Sequence, residues 1–138
     1  MLRKPNIVVT NAYPRKRIHR AEIEKVVRTV LKREKRRADE LTVIFVNDRE
    51  MLRLSREFLG HNFVTDVVSF NLNEGRAIEG EVYINLDQAT RQAKDYNVDD
   101  IVEVQRLVVH GVLHLIGYDD ATQRQKQIMT KLEDKYIG

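Results

Sequence analysis

The eleven residues from His110 to Asp120 constrain this chain more than any other segment. They read HGVLHLIGYDD and hold two of the four histidines in the sequence. His110 and His114 are four positions apart, so on a helix both rings lie on one face and can bind one ion. Gly117 can adopt the left-handed conformation that ends a helix, which would turn the chain and return Asp120 to the same point. The spacing predicts a divalent metal ion held by His110, His114 and Asp120, with an open position typical of catalytic sites.

The segment is related to the metzincin pattern H-E-x-x-H-x-x-G-x-x-H and departs from it twice. Gly111 stands where these proteases carry the glutamate that acts as general base, which disfavours peptidase chemistry. Asp120 replaces the third histidine. A carboxylate can bind zinc, but its negative charge makes the ion a weaker Lewis acid. Two histidines and a carboxylate also suit iron(II), so ligand type leaves zinc and iron both open. A pair of core histidines bonded to backbone carbonyls is the non-metal alternative, and the placement of Gly117 and Asp120 favours the metal.

These residues resemble the signature H-G-x-L-H-L-x-G-Y-D-H of the YbeY-type metal-dependent endoribonucleases, with only the last position changed. The segment TDVVSF at 65–70 is similar to the family's P-T-D-V-L-S-F, and GEVYI at 80–84 is similar to its G-D-I-x-I strand. The resemblance implies a zincin-like core of sheet and helix around the metal site. It also implies a single-strand-specific endoribonuclease of ribosomal RNA maturation, with ribosomal RNA and the small ribosomal subunit as partners.

Two further positions depart from the family pattern. Val64 stands where the family usually has proline, and Leu59 falls where its pocket arginine is expected. An arginine offers a phosphate bidentate charge-assisted hydrogen bonds, whereas leucine offers none. Two alternatives therefore stay open beside the nuclease: another metal-dependent hydrolase, and a non-catalytic ribosome-associated RNA-binding factor. The sequence identifies no general acid.

Length and composition indicate a single domain spanning residues 1–138, and the family resemblance implies that it is a metal-dependent hydrolase domain. No apolar run approaches the roughly 18 residues of a membrane helix, and the N-terminal residues lack the apolar stretch of a signal peptide. The absence of cysteine excludes disulfides and thiolate metal sites. We expect a cytoplasmic protein that does not contact membranes.

The charge is unevenly distributed along the chain. Residues 1–40 hold 13 basic and 5 acidic side chains, which gives +8, whereas residues 41–138 hold 11 basic and 16 acidic, which gives −5. Basic clusters of this kind attract phosphate backbones. We expect Arg33, Arg36 and Arg37 to contact RNA, with a solvated helix face as the alternative. Few aromatic residues interleave these clusters, so they predict no platform for stacking bases.

Hydrophobic periodicity predicts the order β-α-β-α-β-β-α-α-α. This order indicates an α/β (α+β) fold, a small four-stranded mixed sheet covered by about five helices, with the metal site at one edge. The helix that ends in the metal motif is apolar on most sides and is expected to be central. The polar stretch 71–79 is predicted to be a hairpin loop. The last helix is expected near 122–136, with Ile128, Met129 and Leu132 facing the body of the protein.

Several other side chains are candidates for the site. Thr65, Asp66 and Ser69 are small polar residues that could line the mouth of the metal pocket, and Asp66 is a candidate to orient a ligand histidine. Glu103 and Arg106 lie on the same predicted helix face as His110, which suggests an internal ion pair or an approach to the pocket. The other two histidines, at 19 and 61, are expected at the surface.

Overall fold

The computed structural model describes residues 5–73 and 77–137. Its sheet has four strands in the spatial order β1-β2-β4-β3, with β2 parallel to both β1 and β4 and with β3 antiparallel to β4. The predicted four-stranded mixed sheet is therefore confirmed. The strands are β1 (Asn6–Asn11), β2 (Ala38–Val46), β3 (Val67–Asn73) and β4 (Ile78–Asn85).

Five α-helices complete the predicted α/β order. They are α1 (Arg20–Arg33), α2 (Asp48–Leu54), α3 (Leu86–Tyr96), α4 (Asp100–Leu115) and α5 (Gln123–Ile137). A π-helical segment, Ser55–Leu59, continues α2 and ends at Gly60, whose φ of 66° is left-handed. In the described part of the chain, no helix has the length and apolar character needed to cross a membrane.

The core lies between one face of the sheet and the helices α1 and α4. Alternate residues of β2, Leu41, Val43 and Phe45, are fully buried on this face, as expected for a strand whose side chains point to opposite faces. Helix α4 contacts α1, α3, α5, β3 and β4. The expectation that this helix is central is confirmed, and its position fixes the metal motif against the sheet.

One loop boundary and the facing of one residue in the prediction were wrong. The predicted hairpin loop is too long, because β3 continues to Asn73 and β4 begins at Ile78, with Asn71 paired to Gly80. A polar sequence can still form an edge strand, because one face of an antiparallel sheet can be exposed to water. Gly75, placed in that loop, lies outside the described residues. Ile128 is 42% exposed and does not face the body, whereas Met129 is buried, because the buried stripe of α5 passes through Met129, Glu133 and Tyr136.

Candidate metal centre

The end of α4 brings the motif's polar side chains together. Gly117 has a φ of 110°, and the N–H of Tyr118 donates to the carbonyl of Leu113 at 3.0 Å. The N–H of Gly117 bonds to the carbonyl of His114 at 3.1 Å. A left-handed glycine with backbone bonds of this kind ends a helix and reverses the chain. The reversal carries Asp120 back toward the two histidines.

The three candidate ligand atoms form a small triangle. Nε2 of His110 lies 3.1 Å from Nε2 of His114, and Oδ2 of Asp120 lies 3.4 Å and 3.5 Å from these two nitrogens. Ligands bound about 2.0–2.1 Å from a tetrahedral zinc ion lie roughly 3.3 Å from one another. The observed separations fit that geometry, so the residues present could hold a metal ion.

The triangle forms part of the wall of a cleft of about 520 Å³. The cleft also brings in Thr65, Asp66 and Ser69, the three residues proposed from the sequence for the pocket mouth. The hydroxyl of Ser69 has a structural role, because it donates to the carbonyl of Gly111 at 2.9 Å.

A larger groove of about 620 Å³ lies along α2. In that groove Arg53 is paired with Glu50 and Glu57, and Arg49 and Arg56 also line it.

Glu133 of α5 fixes the ring of His110. Its carboxylate lies 2.7 Å from Nδ1 of His110, which leaves Nε2 directed at the triangle. A carboxylate on the second ring nitrogen sets the tautomer and orientation of a metal-binding histidine. Asp66 was the candidate for this role from the sequence, but the carboxylate that contacts Nδ1 of His110 is that of Glu133. Burial lowers the pKa of His110, but the hydrogen bond with Glu133 and the charges of nearby carboxylates raise it by more.

Arg106 holds Glu133 in turn. Its guanidinium donates to Glu133 at 3.1 Å and to Asp134 at 2.7 Å. Of the two possibilities for Glu103 and Arg106, the structure shows neither an ion pair between them nor a place for either in the lining of the cleft. Glu103 instead accepts a hydrogen bond from Gln92 at 2.7 Å. Burial raises the pKa of Glu103. The two residues share a helix face, as predicted, but they contact different neighbouring helices.

Tyrosine hydroxyls anchor the turn that carries Asp120. Tyr118 donates to Glu34 at 2.6 Å, and Tyr136 donates to the other oxygen of the same carboxylate. Burial raises the pKa of Glu34, but these two hydrogen bonds and the charge of Lys135 together lower it by more. Glu34 thus joins the end of α1, the metal turn and α5.

Gly111 allows α4 to approach the sheet closely. A Cβ at this position would lie 2.3 Å from Cγ1 of Val82, a distance that real Cβ atoms essentially never show, and a tight 3.2 Å from Oγ of Ser69. Position 111 therefore faces the sheet and not the metal triangle. A glutamate side chain at this position would collide with Val82 of the sheet.

Asn85 supports the opposite wall of the cleft and was missed as a functional residue. It is fully buried, and its side-chain amide donates to Asp48 at 2.8 Å and to the carbonyl of Thr65 at 3.2 Å. Its own N–H donates to the carbonyl of Asp66 at 2.8 Å. Asn85 also caps α3, accepting from the N–H groups of residues 87 and 88. One residue, through its side chain and its backbone N–H, thus fixes the segment 65–66 relative to the sheet.

The described lining of the cleft includes the carboxylates of Asp66 and Asp120 and three histidines, at 61, 110 and 114. Among the described residues that line it, none is lysine or arginine, and Leu59 occupies the wall. The three arginines proposed for RNA contact lie elsewhere, at the end of α1 and in the turn that follows, and all three are exposed. Arg36 has a structural contact, because it donates to the carbonyl of Ile116 at the end of α4. Arg37 lies 3.5 Å from Asp39.

Comparisons with known proteins give one consistent result. The family model described as "Endoribonuclease YbeY" matches residues 8–138. A protein of that name from Chloroherpeton thalassium is 40% identical over 117 residues, which cover 85% of this chain and 83% of the relative. Another from Chlorobium phaeovibrioides is 40% identical over 123 residues, covering 89% of this chain and 83% of the relative. One from Cytophaga hutchinsonii is 37% identical over 120 residues, covering 86% and 84% of the two chains.

A solved structure has a similar fold. The solution structure of TM1509 from Thermotoga maritima superimposes with a TM-score of 0.66 and is 24% identical in sequence. The match covers 95% of this chain and 86% of that chain. The arrangement of sheet and helices described above is therefore one that a known protein also adopts.

Proposed function

This chain belongs to the YbeY family, and we propose on that premise that it is a metal-dependent endoribonuclease that cleaves single-stranded RNA. The observation that carries the proposal is the convergence of three ligand atoms, 3.1–3.5 Å apart, on the wall of an open cleft. The side chains that hold these atoms are 23–44% exposed. A substrate can therefore reach them.

The residues of the cleft would have different roles in the reaction. His110, His114 and Asp120 would hold the ion, and Zn²⁺ is the metal we propose because the separations fit tetrahedral ligation. A bound Zn²⁺ would polarise a phosphodiester and activate water as a nucleophile. Glu133 keeps Nε2 of His110 turned toward the ion, and Thr65 and Asp66 present polar groups to the substrate across the cleft.

Peptidase activity, one of the alternatives, is opposed by the packing of α4. Proteases with related motifs carry their general base at the position of Gly111. Here that position is closed by Val82. Gly111 has no carboxylate, so this position of the helix supplies no general base for amide hydrolysis.

We propose ribosomal RNA and the small ribosomal subunit as the substrate context, in the cytoplasm. The family signature and the charge asymmetry support this proposal, because a basic first third of the chain favours a polyanionic partner. The absence of cysteine fits a reducing compartment.

The test compares cleavage of labelled single-stranded and duplex RNA by the Zn²⁺-loaded parent chain and by two histidine variants. We expect the parent to cut the single strand, His114→Ala to lose both activity and metal, and His19→Ala to match the parent. His19 is the matched control because it is exposed and its side chain caps no helix N–H. Full metal content without cleavage in the parent would overturn the nuclease and favour the RNA-binding factor.

A further inference from the structure

Two aromatic rings stack on one another at the cleft that holds the metal triangle. The rings of His61 and Phe63 have centroids 4.8 Å apart and planes inclined by 15°. Both residues line the cleft together with His110, His114 and Asp120. Offset stacking at this distance is a favourable arrangement for two π-systems.

Burial does not account for this pair. Phe63 is 58% exposed, and His61 is also exposed. A large apolar ring left in water gains little of the free energy that burial would give. Exposed aromatic rings beside a functional cleft are characteristic of binding surfaces. The pair is therefore better explained by a ligand than by the stability of the fold.

The segment that carries the two rings is held in place before any ligand arrives. The N–H of His61 donates to the carbonyl of Ser55 at 3.0 Å, and Gly60 supplies the left-handed turn at the end of the π-helical segment. Asn62, which lies between His61 and Phe63 in the sequence, accepts a hydrogen bond from Nε of Arg56 at 2.7 Å. A preorganised aromatic surface binds with a smaller entropic cost than a flexible one.

The side chains of the cleft offer little electrostatic attraction to a phosphate backbone. Its lining in the described chain includes Asp66 and Asp120 but no lysine or arginine. A phosphate backbone gains nothing from these side chains themselves. Stacking on an aromatic ring does not depend on counterion release, and every nucleobase offers a π-face for it. In a duplex both faces of a base are already covered, so only an unpaired base can use such a surface.

We propose that His61 and Phe63 form a base-stacking subsite, which holds one unpaired nucleobase of an RNA strand whose neighbouring phosphodiester enters the metal cleft. The inference rests on the proposed function and deepens it by naming the residues that select a single strand. It also supplies binding free energy that the missing arginine at position 59 cannot provide.

The experiment uses the absence of tryptophan from the chain. Phe63→Trp places a single fluorophore in the proposed subsite, and Tyr96→Trp places one at a residue 63% exposed that does not line the cleft. Each full-length variant is titrated, with Zn²⁺ and again in chelator, with an oligodeoxyadenylate and with an abasic oligomer of the same length. Gel analysis verifies that the oligomers stay intact, and a labelled oligomer reports binding by anisotropy.

We expect the fluorescence of Phe63→Trp to be quenched by the adenylate and not by the abasic oligomer, under both metal conditions, and that of Tyr96→Trp to stay unchanged. Phe63→Ala and His61→Ala should each weaken binding of the adenylate by about 5- to 150-fold, while Tyr96→Ala should not. Equal quenching by the abasic oligomer, unquenched Phe63→Trp at saturation, or no binding to the parent would each overturn the subsite.

The outcome is separable from that of the proposed function. Base-dependent quenching without RNA cleavage by the Zn²⁺-loaded parent supports the subsite and rejects the nuclease. Cleavage of RNA by Phe63→Ala with an unchanged KM supports the nuclease and rejects the subsite.

Discussion

The carboxylate of Glu133 lies 2.7 Å from Nδ1 of His110, so a residue of α5 orients a ring on α4. Glu133 is itself buried, with 9% of its side chain exposed, and is held by Arg106. The ligand triangle is therefore supported from outside the motif that contains it. The affinity of the site for Zn²⁺ should therefore depend on α5, a helix that contributes no ligand.

Glu133→Gln tests this dependence. Loss of the negative charge should weaken Zn²⁺ affinity by about 10- to 100-fold, the usual effect of removing a carboxylate that orients a ligand histidine. Competition with a chromophoric chelator measures the affinity. Asp134→Asn is the matched control, because Asp134 also binds Arg106 but is 61% exposed and does not contact His110. If both variants bind Zn²⁺ as the parent does, Glu133 has no role in the site.

The difference between what the sequence predicted and what it missed follows from distance along the chain. His110, His114 and Asp120 lie within eleven residues, so helical spacing and one glycine were enough to bring them together in the prediction. Glu133 lies 23 residues after His110, and its contact depends on how α5 packs on α4. No local periodicity encodes that packing.

Asn85 was missed for a related reason. As a residue between a strand and a helix it has an ordinary capping role. Its further bonds to Thr65 and Asp48 join segments 20 and 37 residues away. The alternation of the strands predicted the sheet well, because period-two patterns are local, whereas the side chains supporting the cleft come from separate elements.

Metal binding should stabilise the fold measurably. If Zn²⁺ binds the native triangle and not the unfolded chain, a concentration of about 100 times the Kd adds roughly 2.7 kcal/mol to the free energy of unfolding. Thermal unfolding with and without Zn²⁺ should show a higher Tm with the ion, and His114→Ala should abolish the increase. Asp120→His should retain it, because a third imidazole is also a zinc ligand. A Zn²⁺ effect that survives in His114→Ala would place the ion elsewhere.

Gly111→Ala should destabilise the protein although alanine favours helices. Helix propensity alone would stabilise the variant by about 1 kcal/mol. The new Cβ, however, would lie 2.3 Å from Val82, and such overpacking costs about 1–3 kcal/mol or more. Urea unfolding measures the net change. In a Val82→Ala background the same substitution should cost less, since the clashing methyl is gone, and strictly additive effects would show that the close approach of α4 is unimportant.

Glu103→Gln should stabilise the protein at neutral pH and lose this advantage in acid. Glu103 is 2% exposed, and burial raises its pKa against the smaller opposing effects of Gln92 and Arg106. A carboxyl group with a raised pKa in the folded state makes the parent less stable as pH rises from about 4.3, the usual glutamate pKa, through the folded-state value. The free energy of unfolding, measured by urea titration from acid to neutral pH, should therefore separate parent and variant progressively. Glu40→Gln, at an exposed strand position, should show no such divergence, and a constant offset for Glu103→Gln would contradict the burial argument.

The basic end of α1 should contribute to RNA binding through Arg33 and Arg37. Both are exposed, whereas Arg36 donates to the carbonyl of Ile116 and is left intact because its loss would disturb the end of α4. For single strands, each phosphate contact contributes about 0.7 to the slope of log affinity against log salt. Removing two contacts by Arg33→Gln with Arg37→Gln should therefore lower RNA affinity and flatten the slope by up to about 1.4, with unchanged metal content.

The matched control is Lys94→Gln with Lys131→Gln, which makes the same charge change at exposed residues of α3 and α5 and should leave the slope nearly intact. Equal slopes for the parent and the arginine variant would show that these residues form only a solvated helix end, and that RNA is held by the cleft around Thr65 and His110.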